Sequence, residues 1–295
     1  MKLLQDRSVK NSLIIFSAVF LFVVTGCKTL PNFAENNYPG LLKTEGSFLV
    51  YFNLSKDRIL PDKFISNFTR EDLSFFIDRT QRIAISLDGF TPQSRYSILA
   101  EGEYPKTLTN IAMGKDKIWV KHKDNYVWWK SSIDGQVISV PIRSVAIISN
   151  GDISSSLSLL KTGTRNYIPE TVKAEFENSA LTLYSNNPGE GFYKSLKIPS
   201  EKMFIQNLFF IVNNTGDNYS VYGVLDFQNA KDAKIFSTAL KLGLLIKLRE
   251  TGKSSLMKIV HDGRIDVENE SIIMDNIFLT IDEITSLFSF PEQEQ

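Results

Sequence analysis

Ile147-Ile-Ser-Asn-Gly-Asp152-Ile-Ser-Ser-Ser156-Leu157 aligns without gaps on Ile277-Phe-Leu-Thr-Ile-Asp282-Glu-Ile-Thr-Ser286-Leu287. Each stretch carries an apolar, strand-like segment through an Asp into a Ser-Leu pair. Two earlier anchors repeat in the same order. Glu45-Gly-Ser47-Phe-Leu49 recurs as Glu177-Asn-Ser179-Ala-Leu181. Tyr96-Ser97, followed 38 residues after Tyr96 by Asp134-Gly135, recurs as Tyr219-Ser220, followed 43 residues after Tyr219 by Asp262-Gly263. The anchors delimit units 45–160 and 177–290, of 116 and 114 residues. The spacing predicts one unit used twice, with Leu49 falling on Leu181, Tyr96 on Tyr219, Gly135 on Gly263 and Asp152 on Asp282. Each Asp is expected to cap a helix, because its carboxylate accepts from free N–H groups of the first turn.

Within the first unit, Ser47–Leu54, Arg82–Leu87 and Tyr96–Glu103 are rich in strand formers. Residues 61–78 read as a helix, with Phe64, Ile65, Phe68, Phe75 and Phe76 near helical spacing. Pro105 suits a first helical turn and Gly114 a helix end, so a short helix is expected between them. Strands follow at Lys117–Lys121, Tyr126–Ser131 and Gln136–Ile148. In the second unit residues 186–206 are too short and too rich in Gly and Pro for a long first helix. The second helix, Ala230–Leu242, is clear, with Ala233, Phe236, Leu240 and Gly243 on one side. This order resembles a ferredoxin-like βαββαβ core, extended by a hairpin and a closing helix. The expected fold is therefore α+β, as two tandem related units joined by a linker at 161–176 and followed by a tail at 291–295.

The N-terminus is basic, with Lys2, Arg7 and Lys10 against Asp6. An apolar run follows from Leu13 to Val24, too short for a spanning helix of about 18 or more residues and matched to a signal-peptide core. It ends in Val24-Thr25-Gly26-Cys27, which resembles the lipobox of bacterial lipoproteins. The resemblance implies a signal peptide at 1–26, cleavage before Cys27, a diacylglyceryl thioether on its sulfur and acylation of the new terminus. Cys27 is the only Cys in the chain, so no intramolecular disulfide competes for it. Residues 27–44, with Pro31, Pro39 and Gly40, read as a lipidated tether. Lys28 follows the Cys in place of the Asp that retains many such proteins in the inner membrane, which by resemblance favours the outer membrane, facing periplasm or surface.

Three of the 33 basic and one of the 33 acidic residues precede Cys27, leaving 30 against 32 in the exported part. That balance gives no electrostatic footprint for nucleic acid. Motifs of catalysis are weak. Ser158-Leu-Leu-Lys161-Thr-Gly163 holds both Ser-x-x-Lys and Lys-Thr-Gly, but the two share Lys161, whereas penicillin-binding enzymes need a Lys from each. Ser255-Leu-Met-Lys258 is a second chance match. The two histidines, His122 and His261, are too few for a zinc site without several acidic ligands. No metal, cofactor or enzymatic activity is expected.

Trp119, Tyr126, Trp128 and Trp129 form the most distinctive cluster and include every Trp in the chain. On a strand Tyr126 and Trp128 share one face, and Val127 and Trp129 the other. One face is expected in the core, and the other is a candidate platform for a sugar or a protein. Function is expected to be that of a membrane-anchored, non-enzymatic interaction or structural protein contacting an envelope protein, a surface partner or the cell wall. The alternative is a binder of sugar, lipid or peptide, using a cleft between the halves or the tryptophan hairpin. A hydrolase with an unfamiliar site stands third.

Overall fold

The computed structural model describes residues 38–44, 47–65, 78–89, 94–188, 205–251 and 264–288. Its first half comprises β1 (Phe48–Asn53), α1 (Ile59–Ile65), β2 (Thr80–Leu87), β3 (Tyr96–Gly102), α2 (Lys106–Lys115), β4 (Trp119–Lys123), β5 (Val127–Ser131), β6 (Val137–Ile142), β7 (Val145–Ser149) and α3 (Ser154–Thr162). Then come α4 (Glu170–Asn178), β8 (Leu181–Asn186), β9 (Ile205–Asn214), β10 (Tyr219–Phe227), α5 (Ala230–Thr251), β11 (Arg264–Glu268), β12 (Ser271–Leu279) and α6 (Ile281–Phe288).

All twelve described strands join one sheet, in the order β11-β12-β10-β9-β8-β1-β2-β3-β7-β6-β5-β4. Every pairing is antiparallel. In a ferredoxin-like unit the two strands flanking each helix run parallel and another strand lies between them. Here β1 and β2, which flank α1, pair directly and antiparallel, so the expected ferredoxin-like layout is replaced by meanders. Outward from the centre, however, the halves share one order: β1-β2-β3-β7-β6 on one side and β8-β9-β10-β12-β11 on the other.

The seam is β1 against β8, with Phe48 opposite Ser185, Val50 opposite Leu183 and Phe52 opposite Leu181. All six residues of β1 are buried, and so are the first five of β8. A strand covered on both faces reads as a continuous apolar run, as in Phe48-Leu-Val-Tyr-Phe52. The two units thus meet edge to edge, and the strands leave no cleft at their junction.

Successive side chains on a strand point to opposite faces. One face carries Val50, Phe52, Ile85, Leu183, Leu225 and Ile272 into a core shared with Phe64 of α1, Met113 of α2, Phe236 of α5 and Ile284 of α6. The other face, over β1, β3 and β8, receives the Tyr38–Leu41 turn and α4. There the Phe176 ring stacks on Tyr51 at 4.1 Å, and the Ser156 hydroxyl at the start of α3 donates to the Leu41 carbonyl at 2.8 Å. Asp57 links the halves on the core side. Its carboxylate accepts from the Ile59 and Leu60 amides, capping α1, and from the Asn214 side chain at the end of β9.

Several expectations change in detail. The region 161–176 is not all linker, since α4 begins at Glu170 behind Pro169 and buries Val172 and Phe176, spaced i,i+4. The long strand 136–148 is a hairpin, β6 and β7, turned at Arg143-Ser144 with Ile142 opposite Val145. Pro141 lies within the register shift of that pairing, where a missing donor is tolerated. Leu49 and Leu181 do not correspond. Leu181 belongs to the shared core and Leu49 faces the other side, because a one-residue offset flips a strand side chain. Tyr96 and Tyr219 do both open strands, β3 and β10. Asp152 accepts from the Ser154 amide and hydroxyl just before α3. Asp282 instead pairs with Lys63 at 2.7 Å, and Glu283 reaches back to the Thr280 amide to close the start of α6. Gly263, much of the helix read at 61–78, and the Leu287 side chain lie outside the described residues.

Candidate functional site

The tryptophan hairpin is split between the two faces of the sheet. Trp119 and Trp129 enter the core beneath α2, where the Trp129 indole N–H donates to Asn110 Oδ1 at 3.0 Å. A Cβ on Gly114 would come within 3.3 Å of Trp129 Cη2, so the glycine lets α2 settle on the indole. Lys121 Nζ lies 5.6 Å from the Trp129 ring centroid, within cation–π range. Trp128 takes the opposite face. It stacks on His122 at 3.9 Å with the rings 8° apart, and its indole N–H reaches Asp124 at 3.2 Å. Tyr126 sits half-buried just before β5. Of the four aromatics, Trp128 therefore remains as a surface. It borders a depression of about 310 Å³ with Lys130, Val137, Gly151 and Asp152.

The residues weighed for catalysis are described only in part. His122 is occupied by the Trp128 stack, and His261 and Ser255–Lys258 lie outside the described residues. Lys161 donates to Asn125 at 2.9 Å, tying α3 to the β4–β5 turn. Among the described residues no His, Cys, Asp and Glu group could hold a metal, and no helix is long and apolar enough to cross a membrane.

A second region was not foreseen. On the faces of β9, β10 and β12 that point away from α5 and α6, Phe209, Ile211, Tyr222, Val224 and Ile273 lie side by side, Phe278 stands further along opposite Ser220, and Asn207, Asn213, Asp226 and Ser271 share the face. The pairing aligns them, with Tyr222 opposite Ile211 and Val224 between Phe209 and Ile273. Tyr222 is 40 % and Phe278 54 % exposed. Among the described residues no helix packs on this face. One rim is charged, where Arg264 on the edge strand meets Asp266 at 2.5 Å, Asp275 at 3.6 Å and Glu268 at 3.9 Å. The legible signal was Leu208-Phe-Phe-Ile-Val212, apolar at every position and hence on both faces of its strand.

On the covered part of the same face, a buried charge cluster joins α4 to the sheet. Arg82 of β2 binds Glu177 of α4 at 2.6 Å and lies 3.9 Å from Glu101 of β3. Glu101 is 2 % exposed, and its Oε2 has no hydrogen-bond partner. Burial pushes its carboxyl up to about 8; Arg82 opposes this, and Glu177 adds to it. A group whose folded pKa is raised in this direction favours the fold when protonated. Its contribution is therefore complete below about 4.5, the ordinary value, and is lost as pH rises towards 8. Glu101→Gln is expected to flatten the stability profile over that window and to raise stability at pH 9 by about 1–3 kcal/mol, the cost of an unsatisfied buried group. Urea melts of both proteins from pH 4 to 9 check this, and an unchanged slope would refute it.

The chain is a bacterial lipoprotein. The chain belongs to the family of the outer membrane-associated lipoprotein TP0453, whose model matches residues 36–278. Crystal form I of TP0453 is similar, at 19 % identity and a TM-score of 0.62 over 85 % of this chain and 96 % of that one. Form III matches at 19 % identity and TM-score 0.60 over 84 % and 95 %, and form IV at 18 % and 0.59 over 85 % and 95 %. At such identity the likeness concerns the fold. No curated protein sequence matches the chain.

Proposed function

We propose that this lipoprotein is a non-enzymatic interaction protein, held at the outer membrane by acyl chains on Cys27, and that an envelope protein docks on the apolar face of β9, β10 and β12. The observation that carries this reading is the aligned set Phe209, Ile211, Tyr222, Val224 and Ile273, with exposed Phe278 on the same face. Apolar surface concentrated on one patch with a polar rim is characteristic of protein contacts. Family membership supports the outer-membrane location. The shared strand order supports an internal duplication, which directs attention to features present in one half alone. The apolar face is such a feature among the described residues, since in the first half the Tyr38–Leu41 turn packs on β3, the counterpart of β10.

The test uses the acylated protein purified from its own envelope in mild detergent. Tyr222→Asp with Phe278→Asp is expected to lose at least tenfold of a co-purifying envelope protein. Ile133→Asp, at a residue 69 % exposed in the β5–β6 turn, is expected to keep it. Equal recovery with all three proteins would reject the docking face. Turnover of an envelope substrate by the purified protein would reject the non-enzymatic reading.

A second reading rests on the depression beside Trp128, which suits a sugar or peptide stacking on the indole. A saturable change in tryptophan emission that Trp128→Phe removes would support it. Flat emission across sugar, lipid and peptide panels would not.

A further inference from the structure

Strand β4 ends the sheet, and among the described residues no strand pairs with its outer edge. The parity of its hydrogen bonds decides which backbone groups point outward. The Ser132 amide donates to the Ile118 carbonyl at 2.8 Å, and the Asp124 amide to the Tyr126 carbonyl at 3.3 Å, at the two ends of the β4–β5 ladder. In an antiparallel pair such bonds recur at every second residue. Val120, opposite Lys130, and His122, opposite Trp128, therefore turn their amides and carbonyls towards β5. Trp119, Lys121 and Lys123 turn theirs outward. The Trp119 amide is already taken, donating to the Asp116 carbonyl at 3.2 Å. The edge thus offers the donor and acceptor of Lys121 and of Lys123.

The same two residues carry charge. Both are exposed and share one face of β4 with the buried Trp119, and Lys121 Nζ lies over the Trp129 ring. Lys115 and Lys117, also exposed, precede the strand, so residues 115–123 hold four Lys against Asp116 alone. The nearby carboxylates have other duties: Asp116 accepts from the Ile118 amide, and Asp124 from the Trp128 indole. The exported chain is slightly acidic overall, so this basic edge is a local feature. Lysine on an edge strand discourages pairing between copies, because two β4 strands would set Lys against Lys. An acidic strand meets no such penalty.

We propose that β4 is a strand-addition site for an extended acidic segment of an envelope protein, separate from the apolar face of β9, β10 and β12. The incoming strand bonds to the backbone of Lys121 and Lys123. Its own residues then lie directly opposite those two, about 5.5 Å away between Cα atoms and on the same side of the sheet. An antiparallel segment reads, in its own direction, acid, any residue, acid, apolar. The acids face Lys123 and Lys121, and the apolar residue covers Val120, which is 49 % exposed. Backbone bonds hold any strand, and charge selects the acidic one. The attraction fades as salt shortens the screening length.

The test is fluorescence anisotropy of a labelled peptide alternating Glu with Val, titrated with the acylated protein in mild detergent. The peptide is expected to bind saturably, and more weakly as salt rises. A cross-strand pair of opposite charges contributes up to about fivefold, and like charges repel. Lys121→Glu with Lys123→Glu should therefore weaken binding at least about tenfold, whereas Lys231→Glu with Lys234→Glu, exposed charges on α5, should cost less than about threefold. The same peptide N-methylated at its Glu amides keeps its charge and loses the donors that would reach β4, so it should not bind. Equal binding of the methylated and parent peptides, or equal losses in the two double variants, would overturn the proposal. So would capture of phosphatidylglycerol vesicles without peptide binding, or a self-associated species that the changes at Lys121 and Lys123 dissolve. Each of these failures leaves the apolar docking face standing, because β4 ends the sheet on the side away from β9, β10 and β12.

Discussion

Cells producing Cys27→Ser are expected to accumulate an uncleaved precursor that carries no acyl chain. The change removes one sulfur, the atom that takes the diacylglyceryl group in the lipobox reading. The chain has no other Cys to replace it. Each buried CH2 contributes about 0.8 kcal/mol to membrane retention, and one myristoyl-length chain alone holds a protein only marginally. Two or three chains on one residue make the attachment lasting, so their loss is an effect of many orders of magnitude on retention. Labelling with a radioactive fatty acid reads it directly. Wild type should carry label in the envelope fraction and the variant none. Equal label on both would sink the assignment of Cys27 as the point of attachment.

Phe52→Ala is expected to cost about 3–5 kcal/mol, as for other fully buried aromatic side chains. That is a large share of the roughly 5–15 kcal/mol that holds a domain together. Phe52 is fully buried in β1, between Ile83 of β2 and Leu181 of β8, with the Phe64 ring centroid 5.2 Å away. Because β1 pairs with β8, the damage should reach both halves. Tryptophan emission reports the first half alone, since all three Trp lie between residues 119 and 129, while far-ultraviolet circular dichroism reports both. The two urea transitions should coincide in wild type and shift together in the variant. A second half that melts later and unshifted would show that the seam is not continuous.

Local structure was largely legible. β1, β2 and β3 follow from short apolar runs, α2 from Pro105, and α3 from Asp152 ahead of it; Gly163, which ends α3 at a φ of 73° that is easy for glycine, is a signal the sequence reading passed over. The failures have separate physical causes. Helix α4 buries only two residues on its stripe, too few for a clear period. The β6–β7 turn uses Arg143-Ser144, with none of the Gly, Asn or Asp that signal a two-residue hairpin.

Long-range order was harder. The Ser185 hydroxyl donates to the Ser47 carbonyl across 138 residues, and nothing local encodes that strand pairing. The element string βαββαβ fits a split βαβ and an antiparallel meander equally well, so the ferredoxin-like expectation could not be separated from the observed order in advance. The candidate site was legible in part. Alternation split the tryptophan hairpin correctly between two faces, but only the packing of α2 decides which indoles are buried. The face around Tyr222 and Phe278 was visible only as Leu208–Val212 being apolar throughout. That pattern marks a strand with two apolar faces without saying that one lacks a covering helix.

The most direct test of the account replaces Tyr222, and separately Phe278, with a photo-crosslinking amino acid in the acylated protein in its own cells. Ile111, on α2 and 50 % exposed, serves as the control. Irradiation should join both sheet positions to the same envelope protein and leave Ile111 without that adduct. No adduct at Tyr222 or Phe278, or the same adducts at Ile111, would contradict a partner docked on the apolar face.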